Sequence, residues 1–301
     1  MEIRNLQTFI RAAALLNFTQ TAKELGYSQS NVSMQIRQLE EEVGAPLFDR
    51  IGKAVILTQQ GQELLPYAQQ IVSMVEQMEN AIRPDAELGG TIRLGMCQSV
   101  FDVCFERIFQ NYHERFPKVR VDVTVQGTEN LLEMLQKSRI DLACVIDRKL
   151  SPYEWKIGYE RAARIGVVVN PAHRLAPKEV LTAEDLREEH FVLMEESAPY
   201  NLMLYSMFAD YNIEDKIKLR LENCEMAARL VSACDSVSLL PEFTVRRLAG
   251  NGIVRFIPLE GYDQQMRIQT VMHKNKVETP QLKGMQAIFT DVMDELLRIP
   301  G

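Results

Sequence analysis

Apolar residues in the first sixty positions recur at helical spacing in three short runs. Leu6, Phe9, Ile10 and Ala13 lie three and four apart and predict one face of a first helix. Asn17-Phe18-Thr19 interrupts that run, with Thr19 the expected N-cap of a short second helix carrying Ala22 and Leu25. Gly26 follows where a helix ends in a left-handed residue. Ser28 is placed to cap a third helix, in which Val32, Ile36, Leu39 and Val43 form a single apolar stripe. After Gly44, the segment from Pro46 to Leu57 predicts a two-stranded wing with Gly52-Lys53 at its tip.

From Thr58 to about Glu87 the pattern is helical again. Leu64, Ala68, Ile71, Val75, Met78 and Ile82 alternate spacings of four and three, which makes a heptad seam. Pro66 inside this run predicts either a helix start nearby or a kink. A seam with no second helix in its own chain predicts a partner from another copy, or packing on its own core. Pro84 and Gly89-Gly90 mark the break into a new domain.

The rest of the chain alternates strands with helices. Strands are predicted at Thr91–Met96, Val119–Val125, Leu142–Ile146, Gly166–Val169, Phe191–Met194, Lys218–Leu221, Val237–Leu240 and Ile268–His273. Helices are predicted at Phe101–Phe116, Leu131–Lys137, Ala183–Leu186, Tyr200–Tyr211, Met226–Ala233, after Pro241, and at Gln281–Leu297. The β-α-β-α-β order predicts a parallel sheet with crossover helices, and its repetition predicts two such lobes with a cleft between them.

The third helix carries the first candidate chemistry. Opposite its apolar stripe stand Gln29, Ser30, Ser33, Met34 and Arg37. Small polar side chains allow close approach to base edges, and glutamine can pair bidentately with adenine. Glu40, Glu41 and Glu42 would repel phosphates, so the N-terminal half of the helix is expected to face a DNA groove. Arg50 and Lys53 of the wing are placed for backbone or minor-groove contacts. On spacing alone, an ordinary three-helix packing unit remains the alternative.

These residues resemble the N-terminal domain of LysR-type transcriptional regulators. The match runs through Phe9, Phe18-Thr19, Ala22, Leu25, Ser28-Gln29-Ser30, Val32-Ser33, Ile36, Leu39-Glu40, Gly44, Leu47-Phe48, Arg50, Leu57-Thr58 and Gly61 in fixed register. Ser30, Met34 and Lys53 depart from the residues common in the family, which bears on the bases read and not on the docking mode. Weaker matches follow at Gly90-Thr91-Ile92-Arg93-Leu94-Gly95, Phe116-Pro117, Asp141-Leu142-Ala143 and Ser238-Leu239-Leu240-Pro241. The resemblance implies an α/β chain with three parts. A winged helix-turn-helix would occupy residues 1–58 and a linker and dimerisation helix 59–88. A bilobed, periplasmic-binding-protein-like effector domain of two Rossmann-like lobes would occupy 89–301. Lobe one would take about 91–164 plus 267–301, and lobe two about 165–266. It also implies a homodimer through the helix seam, with tetramers by further assembly, and double-stranded DNA as partner.

The expected effector site comes from strand ends, since open α/β sheets bind ligands beyond the carboxyl ends of their strands. Cys97-Gln98-Ser99, Gly127-Thr128 and Asp147 follow the first three strands of the second region, and Glu195, Glu196 and Ser197 could face them. Ser99 and Thr128 also match positions that contact effectors in several family members. Helix N-termini favour an anionic group, so the expected ligand is a small polar metabolite with a carboxylate. Asp147 or Glu195 could pair with an amine on the same ligand, which favours something amino-acid-like. The alternative is that Ser99 and Thr128 only cap their helices.

Composition narrows the picture little further. The net charge of −7 is unusual for a DNA binder, but residues 1–60 balance six basic against six acidic side chains. That balance predicts modest non-specific affinity and dependence on two modules acting together. No run of about eighteen apolar residues predicts a membrane span. Five cysteines without a framework predict a reducing cytoplasm. Cys97, near a helix N-terminus, could have a lowered pKa or simply line the cleft. No glycine-rich phosphate loop, nucleophile elbow or histidine pair with metal-ligand spacing occurs, so no enzyme, metal or cofactor is expected. A solute-binding α/β protein whose N-terminal helices only mediate assembly is the competing reading.

Overall fold

The structure, a computed structural model, describes residues 1–51, 54–82, 88–195, 198–208, 213–261 and 266–298. The side chains of residues 50, 51, 54, 73, 76, 77, 79–82 and 203 lie outside that description. These residues form two bodies, one from the N-terminus to the end of a long helix together with residues 137–139, the other from residue 88 to 136 and from 140 onward.

The first body opens with α1 (Ile3–Leu15), α2 (Phe18–Leu25) and α3 (Gln29–Val43). The cap of α2 corrects the sequence reading. Asn17, not Thr19, takes the N-cap, and its Oδ1 accepts from the Thr19 and Gln20 N–H groups at 3.0 Å each. Asn17 is in extended backbone one residue before the helix, where a short side-chain acceptor reaches the orphan N–H groups, whereas Thr19 is already helical. Gly26 ends α2 at φ 69°, a region that costs other residues strain. Ser28 caps α3 as expected, accepting from Asn31 N–H at 3.2 Å.

Apolar packing joins the three helices. Leu6, Phe9, Ala12, Phe18, Ala22, Val32, Ile36 and Leu39 are buried together. Phe48 meets Phe9 and Phe18 edge-on, with ring centroids at 5.6 and 5.2 Å. One buried polar bond crosses this core, from the Thr8 hydroxyl to Gln35 Oε1 at 2.6 Å. The wing is β1 (Phe48–Ile51) paired antiparallel with β2 (Ala54–Leu57). Its tip residue Lys53 lies outside the described residues.

Helix α4 (Gln59–Ile82) runs through Pro66 without starting there. Thr58 begins it. Its Oγ1 accepts from Gly61 N–H at 2.9 Å and donates to Pro46 O at 2.7 Å. Gly61 is required by contact, since a Cβ there would lie 2.3 Å from Leu47 O.

The second body contains a five-stranded sheet in the order β4-β3-β5-β12-β6. Its strands are β3 (Gly90–Met96), β4 (Val119–Val125), β5 (Leu142–Asp147), β6 (Trp155–Ala163) and β12 (Met266–His273). β3, β4 and β5 are parallel as expected, connected through α5 (Gln98–Arg115) and α6 (Thr128–Gln136). β12 and β6 are antiparallel additions. β6 escaped the sequence reading because its burial alternates with Lys156, Glu160 and Arg161 exposed or half-exposed, as suits an edge strand.

The remaining strands form a second layer, which also departs from the expected parallel repeat. β7 (Ile165–Val169) pairs antiparallel with both β10 (Ser238–Pro241) and β11 (Arg255–Pro258). Only β8 (Phe191–Met194) and β9 (Ile217–Leu221) are parallel, with an isolated bridge from Phe191 to Val237, the residue before β10. The reason is chain entry. β7 follows β6 directly across Arg164, without a crossover helix to reverse its direction. Helices α7 (Ala183–Leu186), α8 (Pro199–Met207), α9 (Cys224–Ala233), α10 (Glu242–Gly250) and α11 (Pro280–Arg298) complete the body. Met266 pairs with Ala163, so the strands leaving and rejoining the first sheet lie side by side.

Candidate DNA-reading face and effector cavity

On α3 the buried stripe turns Gln29, Ser30, Met34 and Arg37 outward, with Ser33 half-buried among them. Thr19 is exposed at the start of α2. The polar groups hold one another: Gln29 Nε2 donates to Ser33 Oγ at 3.0 Å, Ser28 and Ser30 hydroxyls are 2.9 Å apart, and Arg37 pairs with Glu41 at 3.1 Å. Such a face presents donors and acceptors at its surface, as base-edge reading requires. The acidic end of α3 does more than point away. Glu40 Oε1 accepts from the Leu47 and Phe48 N–H groups at 2.7 and 3.2 Å and so ties the wing to the helix. Spacing gave no sign of that role. Arg50 pairs in register with Val55 on β2, while its side chain lies outside the described residues.

The predicted seam of α4 divides. Leu64 and Ala68 face inward and pack, with Leu65 and Val72, on the core of the first body. The exposed apolar stripe keeps Ile71 and Met78 of the predicted seam and adds Tyr67 and Met74, again four, three and four apart. Val75 is half-buried, and the Ile82 side chain is not described. Tyr67 and Met74 take the places expected for Ala68 and Val75 because α1 packs on α4 and the Leu64 and Ala68 side is turned into the core.

In the second body a cavity of about 200 Å³ opens where strand ends meet. It is lined by Gln98 of α5, Val125 at the end of β4, Gln126 and Gly127 beyond it, Asn130 of α6, Glu195 after β8 and Glu222 after β9. Gln98, Gly127 and Glu195 were expected there. Ser99 is buried against Cys224, Oγ to Sγ 3.6 Å, and Thr128 is buried with its hydroxyl donating to Ile146 O at 3.3 Å. Neither lies on the cavity wall, and neither caps its helix through these bonds. Asp147 folds back on its own chain and accepts from Arg148 N–H at 2.6 Å. Ser197 lies outside the described residues. Val125, Gln126, Asn130 and Glu222 were missed. For Glu222 the signal existed, since it directly follows a predicted strand end.

Electrostatics around the cavity is one-sided. Burial pushes the Glu195 carboxyl up, with nearby Glu222 adding to the rise. Burial likewise raises Asp102, which accepts from Gln98 Nε2 at 2.7 Å and from Asn223 Nδ2 at 2.9 Å. The second of these bonds links α5 to the turn that begins α9. Glu195 Oε2 is buried without a hydrogen-bond partner, while the buried Tyr200 hydroxyl is engaged with Ser99. The expectation of a lowered Cys97 pKa is overturned: burial pushes the thiol up to about 12. All five cysteines are free. Among the described residues no cluster of histidine, cysteine, aspartate and glutamate could hold a metal. No described helix is long and apolar enough to cross a membrane.

A DNA-reading helix-turn-helix followed by an α/β body with a strand-end cavity is the architecture of a ligand-responsive transcription factor. Comparison with known proteins specifies which. Residues 3–62 match the bacterial regulatory helix-turn-helix protein model of the lysR family, and residues 85–294 match the LysR substrate binding domain. This chain belongs to the LysR family of transcriptional regulators. The transcriptional regulator YwqM of Bacillus subtilis is 30% identical over 285 residues, covering 94% of this chain and 97% of its own. BenM of Acinetobacter baylyi is 30% identical over 248 residues, covering 81% of each chain. Among solved structures, a full-length OxyR variant from Pseudomonas aeruginosa superposes with a TM-score of 0.75 at 16% identity, covering 96% of this chain and 94% of that one.

Proposed function

We propose that this regulator binds a dyad-symmetric promoter site as a homodimer or larger homo-oligomer, and that a small effector in the strand-end cavity sets its DNA affinity. The observation that carries the reading is the outer face of α3, where Gln29, Ser30, Met34 and Arg37 are exposed and Ser33 is half-buried among them, from the N-capped end to the middle of the helix. Two such helices on a symmetric dimer require two matching half-sites. The exposed stripe of α4 supplies a self-complementary surface for pairing. Thr19, Arg50 and Lys53 are assigned to phosphate and wing contacts. Cytoplasmic action follows from DNA as the partner.

A gel-shift titration with genomic fragments tests this. Gln29→Ala is expected to cost on the order of 1–3 kcal/mol of specific binding, the usual worth of a bidentate base contact. Lys53→Ala is expected to weaken all sequences alike and to flatten the salt dependence. An unchanged ratio of specific to random binding in Gln29→Ala would remove that residue from base reading. Ile71→Glu is expected to give smaller species in sedimentation, because it buries an unpaired charge in the pairing surface.

A further inference from the structure

The cavity wall carries two carboxylates and, among the described residues, no basic side chain, and this specifies the charge of the effector. The inference rests on the reading above that the cavity is the effector site. Gln98 commits an amide N–H to Asp102, and Asn130 commits one to Gln126 at 3.4 Å. Each of these amides keeps its carbonyl oxygen and a second N–H for what enters, and Gln126, whose Oε1 accepts from Asn130, keeps its own amide N–H groups. Glu195 and Glu222 add two carboxylates, and no lysine, arginine or histidine is among the described lining residues. The nearby arginines are engaged elsewhere, with Arg229 and Arg247 paired to Glu225 at 2.7 and 2.9 Å. Glu195 lines the cavity half-buried and Glu222 lines it exposed, while Glu195 Oε2 itself is closed off from solvent and has no donor. A carboxylate oxygen in that state is costly unless something supplies an N–H.

We propose that the cavity binds a small organic cation, an alkylammonium or guanidinium, whose N–H groups meet Glu195 and Glu222. The volume of about 200 Å³ restricts it to a small metabolite. A carboxylate on the ligand is secondary, and a dianion is excluded because it would face two carboxylates with no countercharge. The cation would also couple the two layers of the body. It touches Gln98 on one side and Glu222 on the other, the residues flanking the Gln98–Asp102–Asn223 link.

Calorimetric titration of the full-length chain with putrescine, agmatine and succinate tests the proposal. The two cations are expected to bind and succinate is not. Glu195→Gln is expected to weaken cation binding on the order of tenfold or more, the loss of a charged hydrogen bond. It removes a buried unpartnered charge, so its melting temperature is expected to hold or rise, which separates lost binding from misfolding. Asn130→Trp fills the cavity and is expected to abolish binding. Succinate binding that Asn130→Trp abolishes would overturn the cation and keep the cavity as the effector site. Cation binding that survives both substitutions would overturn the cavity itself, and the absence of cation binding would overturn the proposal.

Discussion

The two bodies treat polar groups in opposite ways. On α3 the side chains proposed to read DNA are exposed and paired with neighbours a turn away. At the cavity, Glu195 holds a carboxylate oxygen buried and unpaired. A surface that meets a highly charged partner can keep its groups hydrated until contact, because the phosphates supply most of the attraction. A site for a small molecule has little area to work with, so it relies on a few desolvated groups whose need for a partner the ligand meets. The difference predicts that substitutions at the DNA face change affinity with little effect on stability. Substitutions in the cavity would move both.

The largest effect that should separate the bodies is in the core of the first. Phe9 is fully buried and meets Phe48 edge-on, in a cluster much smaller than the core of the second body. Phe9→Ala should cost about 3–5 kcal/mol, the usual range for deleting a buried aromatic ring. Scanning calorimetry with gel shift should show DNA binding lost, while ligand binding in the second body persists. Loss of both together would show that the bodies do not act as separate folding units.

A smaller effect contrasts two carboxylates within the second body. Burial would raise the Asp141 carboxyl, but Arg93 and Lys276 outweigh it and hold it below its usual range. Arg93 contributes Nη2 to Oδ1 at 2.8 Å and Lys276 Nζ to Oδ1 at 2.6 Å. A depressed folded pKa stabilises above the unfolded value of 3.8 and is lost as pH falls through the folded one. Glu195 has the opposite sign: its raised folded pKa makes the native state gain stability as pH falls towards 4.5. Asp141→Asn should therefore cost about 2–3 kcal/mol at neutral pH, and that cost should shrink below pH 3.8. Glu195→Gln should flatten the rise between neutral pH and 4.5. Denaturant melts over this range check both slopes, and equal slopes in the two variants would break the contrast.

How much was legible in the sequence follows the same division. The helix-turn-helix could be read because its signals are local: a stripe at 3.6 spacing, a glycine at a helix end, a serine before a helix. The α4 stripe could be read only to within one position, since period alone does not say that the Leu64 and Ala68 side is turned into the core. In the second body β3, β4 and β5 were found with their directions, but β6 and β11 were not found and the antiparallel pairing of β7 was missed, because β6 to β7 passes between layers without a helix. Strand-end reasoning reached Gln98, Gly127 and Glu195, while Ser99 and Thr128 stand at the same strand ends yet turn inward to Cys224 and Ile146. Side-chain direction at a helix start depends on long-range packing, which no local pattern contains.

The smallest effect tests the correction at α2. Asn17 accepts two backbone N–H groups, and Thr19, already inside the helix, accepts none of them. Asn17→Ala should cost about 1 kcal/mol of stability in the first body, the usual worth of an N-cap. Thr19→Ala should change stability by no more than about 0.5 kcal/mol, as for an exposed position without special contacts. If Thr19 contacts phosphate, its substitution should still weaken DNA binding. Asn17→Ala should weaken it only as far as the body unfolds, an effect that added salt does not track. Thermal melts and salt-dependent gel shifts on the two variants separate the roles. A Thr19→Ala variant that melts as low as Asn17→Ala would return the cap to Thr19.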